Sequence, residues 1–178
     1  MIKSIQILAF ALAPSLICFT VLADQTQVDN QCPIQVIPGK SFGPIKIGGQ
    51  IADILQSKMK IEGDEKIQDS EFVVTPVFHI RADKGVINEV WVEDLRKAPD
   101  CLVYRGKKIP KTLAVQEIQK FFHSCQKPDH RYGGNLVPCE NAQLTIGYGM
   151  GNFMQVRVSD GTWLATEAVN SAIGSSGK

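Results

Sequence analysis

The sequence has little of what metal, nucleophilic or nucleic-acid chemistry requires. Its three histidines have no carboxylate at a telling spacing, and HExxH and paired CxxC patterns are absent. The first absence removes the two-histidine helical zinc site, and the second removes the knuckle that captures structural zinc. Catalytic sets can be assembled from distant positions, so these absences lower the expectation of an enzyme without abolishing it. Net charge is scarce as well, formally +1 from 19 basic and 18 acidic residues, and this leaves no electrostatic footprint for nucleic acid. Beyond the N-terminal segment, no uncharged run is long enough to span a bilayer.

That N-terminal segment is the one long apolar run. Lys3 precedes Ile5 to Leu22, and Val21-Leu22-Ala23 is a small-residue cleavage site, so residues 1–23 read as a secretory signal. Pro14 and Ser15 argue against a retained anchor, and Ile17 before Cys18 argues against lipidation. The remainder, 178 − 23 = 155 residues, suits a single exported domain over 24–166, with a tail over 167–178 rich in Gly and Ser. The charge is unevenly spread: residues 61–95 hold nine acids and three bases, and 96–131 the reverse. The basic stretch Arg96, Lys97, Arg105, Lys107, Lys108 and Lys111 reads first as a solvated surface balanced by its neighbours. Its alternative is a patch for an acidic protein, lipid headgroups or wall polymer.

Four cysteines follow the expected cleavage site, an even number that favours disulfides in an exported chain. Cys32 and Cys101 each precede a Gly-Lys pair (Gly39-Lys40, Gly106-Lys107), so they hold comparable positions and are expected to bridge. Cys125 and Cys139 would then close a loop containing His130, Gly133 and Gly134. His123, Cys125, Asp129, His130 and Cys139 match no metal-capture spacing, so neither a metal nor a cofactor is expected.

The chain also resembles itself. Thr75 to Asp94 aligns without a gap on Asn141 to Asp160 at a shift of 66, with Phe78 and Ile80 on Leu144 and Ile146, Val90 and Val92 on Val156 and Val158. Upstream, at a shift of 67, Ile51, Ile54 and Leu55 fall on Ile118, Phe121 and Phe122. Apolar spacing at Ile51, Ile54, Leu55 and Met59 predicts one helix, and Thr112 as a cap predicts a second from Leu113 to about Ser124. Gly63 and its charged neighbours read as an exposed loop, Glu71 to Ile80 as a strand interrupted by Pro76, Ala82-Asp83-Lys84-Gly85 as a hairpin turn and Val86 to Glu93 as the returning strand. Leu144 to Gly147 and Asn152 to Ser159 read as a second hairpin, with GYGMG (Gly147 to Gly151) at its turn. The expected fold is therefore α+β: two tandem helix-plus-β-hairpin units, about 32–98 and 99–166, forming an antiparallel sheet with helices on one face.

Alternation sorts the hairpins into two faces. Phe78, Ile80, Val90, Val92, Leu144, Ile146, Met154, Val156 and Val158 share the face that the helices should cover. The other face receives His79, Arg81, Glu89 and Trp91, then Thr145, Gln155 and Arg157. A Trp with two Arg among polar neighbours has the composition of a protein-binding hot spot, while packing of Trp91 beneath a loop is the competing expectation.

Gly43 to Leu55, GPIKIGGQIADIL, leads a short glycine-containing strand into a helix. In this, and in the tandem units over about residues 42–160, the chain resembles the beta-lactamase inhibitory protein and the outer-membrane assembly lipoprotein fold, without the lipidated cysteine of the latter. The resemblance implies helices packed on antiparallel strands and an exposed sheet or loops that bind another protein; it assigns no individual residue. The expected function is an exported, non-enzymatic module for an extracytoplasmic protein, such as an inhibitor or immunity protein. The alternatives are a small envelope hydrolase with its site near His130 to Asn135, and a structural envelope role.

Overall fold

The computed structural model describes residues 32–128, 135–149 and 153–162. The expected signal segment and tail, Trp163, and Asp129 to Gly134 lie outside them. In chain order the strands are β1 (Ile34–Ile37), β2 (Ser41–Phe42), β3 (Ile45–Lys46), β4 (Gly63–Ile67), β5 (Ser70–Val74), β6 (His79–Asp83), β7 (Val86–Val92), β8 (Leu102–Tyr104), β9 (Lys107–Lys108), β10 (Asn135–Cys139), β11 (Leu144–Tyr148) and β12 (Met154–Ser159). Among the described residues two short α-helices accompany them, α1 (Ile51–Leu55) and α2 (Val115–Phe121).

The strands form two sheets. One has seven strands in the order β10-β11-β12-β7-β6-β5-β4, antiparallel throughout, and the other has five in the order β3-β2-β1-β8-β9, with β1 and β8 parallel. The fold is mostly β, which corrects the expected helix-plus-hairpin α+β arrangement. Both helices are short because their sequences stop supporting them. The first gives way to Gln56, Ser57 and the segment before β4, and among its residues only Ile51 is buried. The second begins at Val115 rather than after Thr112, with Glu117 accepting a hydrogen bond from the Ala114 amide, and Phe122 is already extended.

Three strands of the large sheet were hidden in the sequence. Gly63–Ile67 carries charges because it is the exposed edge of the large sheet, where charge discourages pairing with another chain. Glu71 to Ile80 is not one strand: Thr75 accepts hydrogen bonds from the Val77 and Phe78 amides and bonds the Phe78 carbonyl, turning β5 back into β6. Asn135–Cys139 supplies the opposite edge, with Pro138 on it.

The nine apolar residues assigned to the inner face are all buried, but a sheet faces them as well as helices. Ile34, Val36, Phe42, Ile45, Leu102 and Tyr104 of the five-stranded sheet join them in one cluster, with Phe42 edge-on to Phe78 at 5.3 Å. The β2–β3 turn approaches closely enough that a Cβ on Gly43, at φ +58, would lie 3.0 Å from Ile34. The turn between β6 and β7 is as expected: Lys84 and Gly85 both take positive φ, the two-residue turn that matches strand twist.

Cys32 joins Cys101 and Cys125 joins Cys139, the expected pairing. The first bond precedes the adjacent parallel strands β1 and β8, where the Ile34 amide also bonds the Cys101 carbonyl. The two hairpins aligned by the 66-residue shift lie side by side through β7 and β12. Val90 pairs with Val158 and Val92 with Val156, which centres the junction on Trp91 and Arg157.

Candidate functional site

Away from the register shift at Arg81/Ala82, one row of residues crosses the large sheet: Gly63, Val74, His79, Trp91, Arg157, Thr145 and Pro138 are successive cross-strand partners. A second row contains Glu65, Phe72, Arg81, Glu89 and Ser159. The seven residues expected on the polar face are thus brought together, six in these rows and Gln155 beside them.

The indole of Trp91 is held on three sides. His79 stacks on it with ring centroids 5.2 Å apart, the Arg157 guanidinium carbon lies 5.2 Å from its centroid, and its N–H donates to Glu93 Oε2 at 2.9 Å. Gln155 donates to the same carboxylate oxygen at 3.1 Å. Trp91 remains half-buried, so it forms a fixed platform rather than a loose anchor. Arg157 donates through Nη1 to Glu89 at 2.8 Å, and Arg81 lies over Phe72 at 5.8 Å with its Nε 3.5 Å from Asp83.

The face is open on one side only. Phe72, Val74, His79, Arg81 and Trp91 are half-buried, whereas Glu89 is 6% exposed and Thr145 2%. These last two are therefore internal polar groups rather than free surface, and the reading of them as an open contact is corrected accordingly. Phe72 and Val74 are the members that sequence reasoning missed. Treating residues 71–80 as one strand hid the hairpin that places β5 beside β6.

Three of the six cations in the basic stretch are paired with acids, Arg96 with Asp94, Arg105 with Glu140 and Lys108 with Asp100, and Lys111 bonds the Ala98 carbonyl. Arg96 holds the Asp94 carboxyl below the usual carboxylate range, and Lys108 does the same for Asp100. Gly39 to Gly43 has the letters GxSxG, but Ser41 sits in β2 between two antiparallel partners and a turn to β3 follows. It is not the strand-to-helix turn that exposes a nucleophile. Among the described residues, no group of three His, Cys, Asp or Glu is placed to hold a metal. Cys125 and Cys139 are bonded to each other, and Asp129 and His130 lie outside the described residues.

Beside that disulfide, Glu140, Asn141 and Ala142 take φ of 50, 55 and 67 in succession. This left-handed turn costs about 1–2 kcal/mol per residue and is pinned from several sides. Glu140 accepts from Tyr104 at 2.5 Å and Arg105 at 2.8 Å, and Ser159 donates to the Ala142 carbonyl at 3.1 Å. Burial first, then the Glu140 carboxylate, raises the Tyr104 phenol above its ordinary value near 10. Because the folded state keeps this proton longer than the unfolded chain, its contribution is intact below about pH 10 and is lost as pH rises further. The urea midpoint should accordingly fall more steeply above pH 10 in the wild type than in Tyr104→Phe. Parallel curves would remove Tyr104 from the alkaline transition.

A groove of about 390 Å³ lies between the start of α2 and the open ends of β11 and β12, lined by Leu113, Val115, Tyr148, Phe153 and Met154 among others. Burial raises the Tyr148 phenol. No protein-family model, no curated protein and no solved structure matches the chain.

Proposed function

We propose that the chain is an exported, non-enzymatic module that binds another extracytoplasmic protein, as an inhibitor or immunity protein does, through the polar face of the large sheet. The observation that carries this reading is the half-buried His79–Trp91–Arg157 stack beside Phe72 and Arg81. The opposite face of the same strands is fully used by the core, so these aromatics do not pack the interior. Rings and guanidinium groups already fixed by one another lose little freedom on binding, which favours affinity. Two disulfides suit an oxidising compartment, and no helix among the described residues is long and apolar enough to cross a membrane. The hydrolase alternative depends on residues around His130, outside the described residues, and gains no supporting observation.

The test is affinity capture from envelope extracts with the disulfide-bonded chain as bait, followed by titration of the captured partner. Trp91→Ala should weaken binding about thirtyfold, roughly 2 kcal/mol, and Phe72→Ala should weaken it less. Both variants should keep one cooperative thermal transition. Unchanged affinity in Trp91→Ala, or its collapse into an unfolded chain, would overturn the reading.

A further inference from the structure

The two Gly-Lys pairs of the sequence come together at one end of the small sheet. Because β1 and β8 are parallel neighbours, the turns that follow them, Ile37 to Lys40 and Arg105 to Gly106, leave the sheet at the same end. Both turns are fixed. The Lys40 amide donates to the Ile37 carbonyl at 3.1 Å and the Gly39 amide to the Gln143 carbonyl at 3.3 Å. Arg105 and Gly106 both take positive φ, the two-residue turn that returns the chain as β9. Ile37, Ser41 and Lys46 are cross-strand partners in one row, which brings Lys46 to this end as well.

The outcome is a surface of one sign. Residues 34–46 and 102–108 contain five cations, Lys40, Lys46, Arg105, Lys107 and Lys108, and no carboxylate, and all five are exposed. Glu140 takes Arg105 and Asp100 takes Lys108, whereas Lys40, Lys46 and Lys107 make no ion pair among the described residues. Ile37 stands beside them, 43% exposed. Opposite charge gathers elsewhere: residues 62–71, at the β4 edge of the large sheet, hold five acids and one base. A chain of nearly zero net charge is thereby a dipole, which a charged surface can orient.

We infer that this turn end docks on an anionic lipid bilayer, with the lysines at the headgroup phosphates and Ile37 at the edge of the acyl region. The residue types favour a membrane over a protein. Protein interfaces are depleted of lysine and enriched in aromatics and arginine. This patch is mostly lysine, and its two aromatic rings, Phe42 and Tyr104, are buried, the reverse of the face around Trp91. A compact, strongly hydrated ammonium suits a diffuse layer of phosphates, which asks for no fixed partner geometry. The exposed isoleucine favours a bilayer over a soluble polyanion, which offers an apolar side chain nothing. Contact is peripheral and reversible: each lysine within reach of such a surface strengthens binding about fivefold, and three together about a hundredfold.

The test is sedimentation of the exported, disulfide-bonded chain with vesicles of phosphatidylglycerol and phosphatidylcholine in equal parts, against vesicles of phosphatidylcholine alone. Binding is expected to the mixed vesicles only, and it should weaken steadily as salt is added. Lys40→Gln, Lys46→Gln and Lys107→Gln should each weaken it about fivefold and the triple variant about a hundredfold, while Lys66→Gln, on the β4 edge of the other sheet, leaves it unchanged. Ile37→Ala should weaken it about fourfold, the loss of one buried methylene. All of these side chains are exposed, so each variant should keep the thermal transition of the wild type. Equal binding to phosphatidylcholine, indifference to salt, or a triple variant that binds as the wild type does would overturn the inference. So would polyphosphate held as tightly as the vesicles with Ile37→Ala without effect, which would make the ligand a soluble polyanion. Partner capture lost in the triple variant, with no vesicle binding by the wild type, would overturn it as well and make the patch a protein contact. The inference does not rest on the role proposed for the Trp91 face, and Trp91→Ala should bind vesicles as the wild type does.

Discussion

Replacing Cys32 and Cys101 together with serine should lower the unfolding free energy by about 4 kcal/mol, and replacing Cys125 and Cys139 should lower it by about 3 kcal/mol. The difference comes from the lengths of chain that the two bonds close, with sequence separations of 69 and 14. Closing the longer loop removes more freedom from the unfolded chain. The longer bond also ties two neighbouring parallel strands in the middle of the small sheet. Parallel strands there come from distant parts of the chain, so no short turn can substitute for the bond. Urea unfolding of both double variants against the wild type would measure the order. A larger loss from the short loop would mean that the long crossing is held by packing alone, and that the left-handed turn after Cys139 depends on its disulfide for more than chain entropy.

What could be read from the sequence was local or periodic. The cysteine pairing followed from comparable positions ahead of two Gly-Lys pairs, and the hairpin at Lys84-Gly85 followed from turn chemistry. Strict alternation around Val90, Val92, Val156 and Val158 identified the buried face correctly, because a one-residue slip would have exposed every valine. What covers that face was not legible. Strands β1, β2, β3, β8 and β9 are two to four residues long, too short for alternation to distinguish them from turns, and their sheet is joined through β1 and β8, where Ile34 pairs with Leu102, 102 − 34 = 68 residues away. The helical period at Ile51, Ile54 and Leu55 was a true local signal, but five residues of helix cannot roof seven strands. On the polar face, alternation placed the seven residues together but could not reveal that Glu89 and Thr145 are covered, nor that Phe72 belongs with them. Those depend on tertiary placement of β5 and on what lies above the sheet.

Phe42→Ala should cost about 3–5 kcal/mol, whereas Leu55→Ala should cost under about 1 kcal/mol. The contrast separates the observed sheet-on-sheet core from a helix-roofed one. Were helices the principal cover, Leu55 would belong to the apolar stripe lying on the valines, and Phe42 would be a residue of an entry turn. Instead, Phe42 has no exposed surface and meets Phe78 edge-on, while Leu55 is 40% exposed. Truncating Phe42 removes a ring between the two sheets, beside a turn where Gly43 already lies against the Ile34 and Phe78 side chains, so the cavity cannot collapse without dragging the β2–β3 turn inward. Truncating Leu55 removes surface that water already reaches. Chemical denaturation of both variants, with unchanged denaturant slopes as the check on cooperativity, reads the difference directly. Comparable losses at the two positions would return the covering role to α1 and undo the account of why Phe42, Ile45 and Tyr104 are buried.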